Sequence, residues 1–405
     1  MLAPGGWARA NYRVLYSFQG GRDGFFPSGW PIWDRAGNLY GVTEADGLGG
    51  NDGCGTVFEL RKVKGGWSHK VLYRFPGDAR DGCDAEANLA FDVEGNLYGT
   101  TLRGGGQGNC TNNGKDHGCG TVYELAPARG GKWRETVVHR FAGGSDGAHP
   151  FAGVVFDAAG NAYGTTGNGG GTCDCGTVFE LSRGAVGGWT QTILHSFSGT
   201  DGADPTSLAF GPAGDLYGLT NTGGAYGEGV AFELTPAAGG WREVTIYNFG
   251  GFGDGAGPGN GLTPRGRSLY GATEVGGASD YGTVFELKPG TDGGWTHTVL
   301  YSFTGQKDGV YPASPFVFDE SGNLYGSTGG DVSCTKGNRW GCGNVFELMP
   351  RSGGQWKLRV LHTFAGGSSG GYPGQPMIGP GGSLYGFTVY GNCGTDCGLV
   401  FEVKP

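Results

Sequence analysis

The sequence has 405 residues and a formal net charge of −9, and 91 of its residues are glycine. The negative charge argues against nucleic acid or an anionic membrane surface as a partner, since both require a basic face. The aromatic content of 13% argues against a disordered chain, because such chains lack the large apolar side chains that bury surface. No apolar stretch reaches the ~18 residues of a membrane span, so we expect none.

The predicted elements begin with a strand that follows Trp7 and reads YRVLYSF. A turn with Asp-Gly and Pro, an apolar strand and a tight turn ending in Gly-Asn come next, followed by a strand such as LYGVT. A glycine-rich loop then leads to GTVFEL, and a GGW turn leads back to a copy of the first strand. Short runs of Val, Phe, Tyr and Leu between Gly, Asp, Asn and Pro are typical of strands joined by hairpin turns.

The same unit recurs along the whole chain. A nucleotide-binding loop would occur once and end in Lys-Ser or Lys-Thr, so the repeated GNLYG motif indicates a repeat protein instead. Four strands in each of seven units predict an all-β fold, a seven-bladed β-propeller of four-stranded antiparallel blades, expected to form one domain over residues 1–405. The seven motif copies occupy residues 37–43, 95–101, 160–166, 214–220, 267–273, 322–328 and 382–388.

The two ends of the chain complement one another. The chain begins with a fourth strand that has no first three, and it ends with a third strand, LVFEV, that has no fourth. We therefore expect the N-terminal strand to join the last blade and close the ring. This closure would bring Val14 and Phe401 into one sheet and would make blades 7 and 1 neighbours.

The loops differ between the two faces of such a propeller. The turns between strands 1 and 2 and between strands 3 and 4 are short and similar in every unit, whereas the 2–3 loops and the blade connections vary widely in length. Function usually lies on variable loops that a rigid scaffold holds. The face that carries the 2–3 loops and the connections is therefore the candidate working face.

Ten cysteines lie in these variable segments. Five of them directly precede the glycine that opens a third strand, and the other five lie in the same loop or in the connection that faces it. A zinc site would need Cys and His residues that converge on one ion, whereas these cysteine pairs lie in separate blades. Disulfides are therefore the favoured interpretation. Disulfides indicate an oxidising compartment: secreted, periplasmic or cell-surface. The predicted pairs are Cys54–Cys83, Cys110–Cys119, Cys173–Cys175, Cys334–Cys342 and Cys393–Cys397.

Two acidic positions recur in the units. The glutamate of VFEL occurs in all seven copies, and we expect it to act as a structural hydrogen-bond acceptor at a strand edge. The aspartate of the connections indicates turn chemistry, because Asp-Gly supplies local hydrogen bonds and a positive φ. No motif requires a cofactor, and calcium at some of these aspartates is the alternative.

Residues that break the repeat on the working face are the functional candidates. Aromatic side chains beside carboxylates and a basic group suit a carbohydrate, which needs stacking plus hydrogen bonds. The predicted substrate-binding residues, mostly from blades 6, 7 and 1, are Trp30, Tyr281, Tyr311, Trp340, Tyr372 and Tyr390. The predicted catalytic residues, from blades 1 to 3, are Glu44, Asp84, Glu86, Arg103, His117 and His149.

Two reactions fit these residues. A lyase acting on a uronic-acid polymer would use Arg103 to bind the carboxylate and a histidine to abstract the proton in β-elimination. A hydrolase would instead use two carboxyl groups as acid and as base or nucleophile. The carboxyl candidates are Glu44, Asp84, Glu86 and Glu274. For each residue, an ordinary solvated loop position is the alternative.

The unit GNLYGTT…GG…GTVFEL resembles the GloVer-type tandem-repeat proteins of bacterial exported proteomes, over essentially the whole chain. The resemblance implies bacterial origin, export and a propeller, and it supplies no catalytic residues. We therefore expect a monomeric extracellular protein that binds, and in the stronger form cleaves, a polysaccharide or oligosaccharide. The alternatives are a non-catalytic surface module that binds proteins or serves as a scaffold, and a lectin with one site per blade.

Overall fold

The computed structural model describes residues 11–45, 53–76, 81–108, 110–112, 115–116, 118–184, 187–330, 342–391 and 397–405. Seven antiparallel sheets form the blades of a ring, and each sheet has four strand positions. The predicted seven-bladed all-β propeller is therefore confirmed. Blades are numbered from the first complete sheet, so blade 7 contains both ends of the chain.

The N-terminal strand and the first three complete blades occupy the first half of the chain. The N-terminal strand is β1 (Asn11–Ser17). Blade 1 contains β2 (Phe25–Trp33), β3 (Leu39–Ala45), β4 (Thr56–Val63) and β5 (Gly66–Arg74). Blade 2 spans β6 (Gly82–Cys83), β7 (Ala90–Phe91), β8 (Leu97–Thr101), β9 (Arg103–Gly104), β10 (Thr111–Asn112), β11 (Lys115–Asp116), β12 (Thr121–Ala128) and β13 (Lys132–Arg140). Blade 3 contains β14 (Val155–Phe156), β15 (Ala162–Thr166), β16 (Thr177–Arg183) and β17 (Trp189–Ser196).

The remaining four blades follow the same order, with the innermost strand divided in two in blades 5 and 7. Blade 4 contains β18 (Ala203–Phe210), β19 (Leu216–Thr222), β20 (Val230–Ala237) and β21 (Gly240–Asn248). Blade 5 contains β22 (Ala256–Pro258), β23 (Thr263–Arg265), β24 (Ser268–Val275), β25 (Thr283–Pro289) and β26 (Trp295–Ser302). Blade 6 contains β27 (Val310–Phe318), β28 (Leu324–Gly330), β29 (Gly343–Pro350) and β30 (Trp356–Phe364). Blade 7 contains β31 (Gly371–Pro373), β32 (Met377–Ile378), β33 (Leu384–Tyr390) and β34 (Leu399–Lys404), and β1 completes it.

Helical structure among the described residues is limited to single 3₁₀ turns in the connections and hairpins. These 3₁₀ turns are Gly21–Asp23, Arg129–Gly131, Gly144–Asp146, Ser352–Gly354, Gly367–Ser369 and Pro380–Gly382.

Two short strand pairs in blade 2 lie outside its main sheet: β6 pairs with β9, and β10 pairs with β11.

Pairing between β1 and β34 closes the ring. Asn11 lies opposite Lys404 and Val14 lies opposite Phe401. The predicted closure is therefore confirmed, and β1 is the outermost strand of blade 7. Loops of blades 6, 7 and 1, which lie at opposite ends of the sequence, consequently share one sector of the ring.

The core lies between neighbouring blades. The GGW tryptophans of blades 1 to 5 reach back to the LYG tyrosine of the preceding blade: the ring centroids of Trp133 and Tyr40 are 6.3 Å apart, and those of Trp189 and Tyr98 are 6.0 Å apart. The phenylalanine of VFEL is fully buried at positions such as Phe58. Apolar residues that alternate along four short strands therefore fill the blade junctions, and burying one large side chain contributes about 2 kcal/mol.

The repeated acidic residues are held by hydrogen bonds within the fold. The Tyr40 hydroxyl donates to Glu59 Oε1 at 3.0 Å, and Glu59 is completely buried. In the connections, the Tyr16 hydroxyl donates to Asp23 Oδ2 at 2.7 Å, and the Gln19 amide donates to the same atom at 2.9 Å. Both positions therefore bind strands and turns together, which explains why the repeat keeps them.

Three of the predicted disulfides are confirmed: Cys54–Cys83, Cys110–Cys119 and Cys173–Cys175. Cys342 and Cys397 are also disulfide-bonded. Their predicted partners, Cys334 and Cys393, lie outside the described residues. The disulfides fit an extracellular or periplasmic protein. Within the described ranges, no helix has the length and apolar character needed to cross a membrane.

Candidate functional site

Each blade has one residue in an unusual backbone conformation where its innermost strand begins. The φ angles of these seven residues lie between 51° and 60°, in the left-handed region that residues other than glycine rarely adopt. Such residues cost about 1 kcal/mol or more and cluster at functional sites. We call them the entrance residues: Phe26, Asp84, His149, Asp204, Gly257, Tyr311 and Tyr372.

Backbone hydrogen bonds between blades hold this conformation. The His149 amide donates to the Cys119 carbonyl at 2.9 Å, and the Tyr372 amide donates to the Cys342 carbonyl at 2.7 Å. Each acceptor belongs to the preceding blade and directly precedes the glycine that opens its third strand. The bond uses backbone atoms only, so the side chain at an entrance position is free to differ from blade to blade.

A second ring of residues lies opposite the entrance residues at the end of the second strand. In blade 6, Val310 pairs with Gly330 and Pro312 pairs with Thr328, which places Tyr311 opposite Gly329. The other blades have the same register. We call this ring the flanking residues: Glu44, Leu102, Gly167, Asn221, Glu274, Gly329 and Val389.

Entrance side chains lean over the flanking residue of the preceding blade. A Cβ placed on Gly329 of blade 6 would lie 2.8 Å from Cε2 of Tyr372 in blade 7. A Cβ placed on Gly167 of blade 3 would lie 3.0 Å from Oδ1 of Asp204 in blade 4. The two rings therefore form one continuous surface around the channel, on the face with the variable loops.

Four predicted catalytic residues meet at the junction of blades 1 and 2. Glu44 and Glu86 are hydrogen-bonded to one another, and Arg103 Nη1 lies 3.0 Å from Asp84 Oδ2. The side chains of Asp84 and Arg103 are 17% and 35% exposed. We call these four residues the carboxyl cluster.

Burial controls the protonation of the carboxyl cluster. It raises the pKa of Glu86 to about 8, and the negative charges of Glu44 and Asp84 act in the same direction. Burial and the charge of Asp84 also raise the pKa of Glu44. At neutral pH the hydrogen-bonded pair of Glu44 and Glu86 therefore holds a proton. The Asp84 carboxylate lies beside this pair and is neutralised by the Arg103 guanidinium. A carboxylic acid and a carboxylate side by side are the groups that general acid–base catalysis requires.

Three aromatic side chains meet at the junction of blades 7 and 1. The ring centroids of Tyr372 and Tyr390 are 6.3 Å apart, and those of Phe26 and Tyr390 are also 6.3 Å apart. We call Phe26, Tyr372 and Tyr390 the aromatic cluster. Phe26 lies opposite Glu44 in blade 1, so this cluster adjoins the carboxyl cluster.

A further acid accompanies the aromatic cluster. Burial raises the pKa of Glu274, a flanking residue of blade 5. The pKa of Tyr372 is raised by burial and by the negative charge of Glu274. The aromatic sector therefore has a carboxyl group within electrostatic reach of its tyrosines.

The structure places three other predicted residues around the same entrance. Tyr311 is the entrance residue of blade 6, and its amide donates to the Tyr281 carbonyl at 3.3 Å. The Tyr281 ring lies against Gly305 in the blade 5–6 connection, so it borders the loop face. His149 is the entrance residue of blade 3, and its Nδ1 lies 2.9 Å from Oδ1 of Asn168.

Trp30 lies deeper in the channel than the aromatic cluster. Its backbone amide donates to Asn88 Oδ1 at 2.8 Å, and it lines a cavity of ≈ 350 Å³ together with Phe91, Val155 and Phe156. This cavity borders the ends of the innermost strands, near the face with the short turns. The structure therefore does not bring Trp30 together with Tyr372 and Tyr390. Two predicted residues, His117 and Trp340, lie outside the described residues.

Three residues at the entrance, Phe26, Phe151 and Asp204, are not among the residues predicted from the sequence. Phe151, two residues after the entrance residue His149, is 48% exposed and lies beside Gly167. A signal for the entrance position was present, because six of the seven entrance residues directly precede a proline. Aligning the units on that proline would have placed Phe26 and Asp204 with the residues that were predicted.

One group of metal-binding side chain types is present among the described residues. Atoms of His195, Asp201 and Glu243 lie within 4.8 Å of one another at the outer rim between blades 3 and 4. His195 Nε2 lies 3.0 Å from Asp201 Oδ2, which reproduces the Tyr247–Asp254 contact of the next blade. This rim contact therefore accounts for His195 and Asp201, and Glu243 Oε1 accepts a hydrogen bond from the Thr245 hydroxyl at 3.2 Å.

A family model for the Gloeobacter/Verrucomicrobia repeat matches residues 6–172 and 170–401. The chain belongs to the Gloeobacter/Verrucomicrobia repeat family. This assignment agrees with the resemblance inferred from the GNLYGTT and GTVFEL motifs. No curated protein matches the sequence.

Solved structures show that this Gloeobacter/Verrucomicrobia repeat protein has a widespread fold. A periplasmic gluconolactonase from Pseudomonas aeruginosa is 15% identical with a TM-score of 0.57, and the match covers 91% of this chain and 98% of that one. An ulvan lyase of polysaccharide lyase family PL25 is 10% identical with a TM-score of 0.53, covering 96% and 95%. A Lactobacillus plantarum protein is 16% identical with a TM-score of 0.51, covering 84% and 85%. At such identities, the likeness shows the fold alone.

Proposed function

We propose that this protein is exported and binds an oligosaccharide chain across the channel entrance, where the carboxyl cluster hydrolyses a glycosidic bond. The observation that carries the proposal is that two unlike clusters are adjacent: Phe26 belongs to the aromatic cluster and lies opposite Glu44 of the carboxyl cluster in the strand register. Aromatic rings stack on the apolar faces of sugars, and carboxyl groups bind their hydroxyls. The disulfides support export.

Hydrolysis needs one protonated and one ionised carboxyl group. Glu86 supplies the acid, since its raised pKa keeps it protonated at neutral pH. It would donate that proton to the glycosidic oxygen as the bond to the anomeric carbon breaks. Asp84 supplies the carboxylate, which would stabilise the developing positive charge or activate the water that attacks the anomeric carbon. Water contributes the hydroxyl group of one product, and its remaining proton would restore Glu86 to its acid form, passing through Asp84 where Asp84 activates the water. The leaving sugar retains the proton that Glu86 donated.

Two of the groups proposed for β-elimination, Arg103 and His149, are engaged in other contacts. Arg103, the residue that would bind a uronate, lies 3.0 Å from Asp84. His149, one of the two proposed bases, has Nδ1 2.9 Å from Asn168 Oδ1. These contacts favour hydrolysis over the lyase reaction. Among the solved neighbours, one is named a lyase bound to a glucuronate–rhamnose unit and one a gluconolactonase, so carbohydrate chemistry occurs on propellers of this shape.

A polysaccharide panel tests the proposal. The protein is incubated with neutral, anionic and amino polysaccharides, and the products are assayed for new reducing ends and for the ultraviolet absorbance of unsaturated uronates. New reducing ends without that absorbance support hydrolysis, and the absorbance supports the lyase alternative. Binding without cleavage supports a lectin. If no glycan is bound or cut across the panel, the proposal fails and the non-catalytic protein-interaction module becomes the better hypothesis.

A further inference from the structure

We infer that the preferred ligand of the channel entrance is a glycan with free, protonated amino groups, such as a glucosamine oligomer, rather than a uronate or a neutral glycan. This inference rests on the proposed function and specifies its substrate class. It follows from the charges, the ion pair and the aromatic rings around the entrance.

Acidic side chains outnumber basic ones in the two rings and at the residues next to them. The entrance and flanking residues include Asp204 and Glu274 in addition to Glu44 and Asp84, and Glu86 lies two positions after Asp84. The basic residues at these positions are Arg103 and His149. The acids occur in blades 1, 2, 4 and 5, so the negative charge is spread over four of the seven blades.

The single guanidinium at these positions is paired with an acid of the same site. Arg103 Nη1 lies 3.0 Å from Asp84 Oδ2, and both side chains are partly buried. A uronate would have to displace Asp84 from Arg103 and would then approach the negative charge that the hydrogen-bonded Glu44–Glu86 pair retains. Like charges brought together in a partly buried site disfavour binding, so polyuronates are the class that this entrance excludes most strongly.

Two further acids, Asp204 and Glu274, have no ion-pair partner among the described residues and favour a positive ligand; Asp204 accepts a hydrogen bond from Asn221 at 3.4 Å. Burial raises the pKa of Glu274 and of Asp204, which means that each carboxylate loses hydration that an ammonium group could replace. The tyrosine ring of Tyr372 lies within electrostatic reach of Glu274. An aromatic face beside a carboxylate is a general way to bind an ammonium group, through cation–π attraction and a charged hydrogen bond. The sugar ring then stacks on the remaining aromatic surface.

Three hexasaccharides of matched length test the inference on the full chain. They are β-1,4-linked glucosamine, its fully N-acetylated form and a uronate hexamer, each titrated at low and high salt by calorimetry below the pKa of the amino groups. We expect the amino hexamer to bind at least about tenfold more tightly than the acetylated hexamer, and the uronate to bind most weakly. High salt should reduce this preference, because screening weakens charge–charge attraction.

Two variants and one additional ligand complete the experiment. Glu274→Gln should reduce the preference for the amino hexamer several-fold, while Glu320→Gln, the same change at an exposed acid on the short-turn face, should leave it unchanged.

Equal affinity for the amino and acetylated forms, or a preference for the uronate, would overturn this inference and leave glycan binding intact. A lysine hexapeptide that binds as tightly as the amino hexamer would also overturn it, since the entrance would then recognise charge alone. Failure of all three hexamers to bind overturns it too, and the polysaccharide panel then decides separately on the proposed function.

Discussion

Tyr372 covers Gly329 across the junction of blades 6 and 7, and a Cβ on Gly329 would lie 2.8 Å from Cε2 of the tyrosine ring. The φ of Gly329 is not in the left-handed region, so the backbone accepts alanine and the clash acts on the ring alone. Gly329→Ala should displace Tyr372 and weaken glycan binding about tenfold, while the thermal midpoint changes little. The matched control is Gly171→Ala, because no atom lies within 4 Å of a Cβ there. Unchanged affinity in Gly329→Ala would show that the Tyr372 ring does not contact the ligand.

The raised pKa of Glu86 predicts a pH limit for cleavage. A general acid must be protonated, and burial together with Glu44 and Asp84 raises the pKa of Glu86 to about 8. The rate should therefore be sustained at neutral pH and fall as the pH rises through about 8. Glu86→Gln should lower the turnover number by about 100-fold or more while preserving glycan affinity. The pH–rate profile and calorimetry measure the two effects, and wild-type turnover in Glu86→Gln would exclude this residue as the acid.

The fold could be predicted almost completely from the sequence, and the physical reason is repetition. Each unit presents the same short strands and the same turn residues seven times, so errors in one copy are corrected by the others. Ring closure followed from counting strands at the two ends. The pairing of Val14 with Phe401 confirms that count.

The site could be predicted only in part, because its geometry depends on contacts between blades. The residue before a proline normally avoids helical conformations, so no local rule predicts a left-handed Tyr372 before Pro373. That conformation is accompanied by a hydrogen bond to the Cys342 carbonyl in the preceding blade. The sequence likewise could not show that Arg103 faces Asp84 or that Trp30 lies deep in the channel, since both depend on how the innermost strand bends.

A buried hydroxyl in blade 2 predicts a stabilising substitution. Tyr123 is completely buried, its hydroxyl has no hydrogen-bond partner, and the other six units have phenylalanine at this position. Removing an unpaired buried hydroxyl relieves a desolvation cost of about 1 kcal/mol or more. Tyr123→Phe should therefore raise the thermal midpoint by roughly 1–2 °C. The reciprocal change Phe179→Tyr, which inserts a hydroxyl at the matching position of blade 3, should lower it, and a lowered midpoint in Tyr123→Phe would contradict the argument.

Histidines at the outer rim predict sensitivity to acid. His69, His297 and His362 stack on tyrosines of neighbouring blades, and their Nε2 atoms have no hydrogen-bond partner. Burial lowers the pKa of each to about 4, below the usual value of 6.5. The unfolded chain therefore takes up these protons first, so stability falls as the pH falls from about 6.5 to about 4. After allowance for solvent screening, each histidine accounts for about 1 kcal/mol.

His297→Phe tests this mechanism while keeping a ring over Tyr247. The variant should move the midpoint of acid unfolding, followed by circular dichroism, a few tenths of a pH unit lower. His195→Phe is the contrasting variant, since His195 Nε2 has Asp201 as a partner at 3.0 Å. Loss of the His195–Asp201 contact should reduce the free energy of unfolding at neutral pH instead of shifting the midpoint of acid unfolding. An unchanged acid midpoint in His297→Phe would assign the acid sensitivity to other groups.

The Cys54–Cys83 disulfide links the opening of the third strand in blade 1 to the connection that leads into blade 2, and Cys83 directly precedes Asp84. Its cysteines are separated by 29 residues, whereas Cys173 and Cys175 are separated by 2. Because the stabilisation by a disulfide grows with the length of the closed loop, replacing both Cys54 and Cys83 by serine should cost about 3 kcal/mol, measured by urea unfolding. Replacing Cys173 and Cys175 should cost much less.

The variant that lacks Cys54 and Cys83 should also weaken glycan binding at sub-denaturing temperatures, since the backbone of Cys83 pairs with that of Arg103 in the carboxyl cluster. Full affinity in that variant would show that the cluster is held by the β-sheet contacts alone.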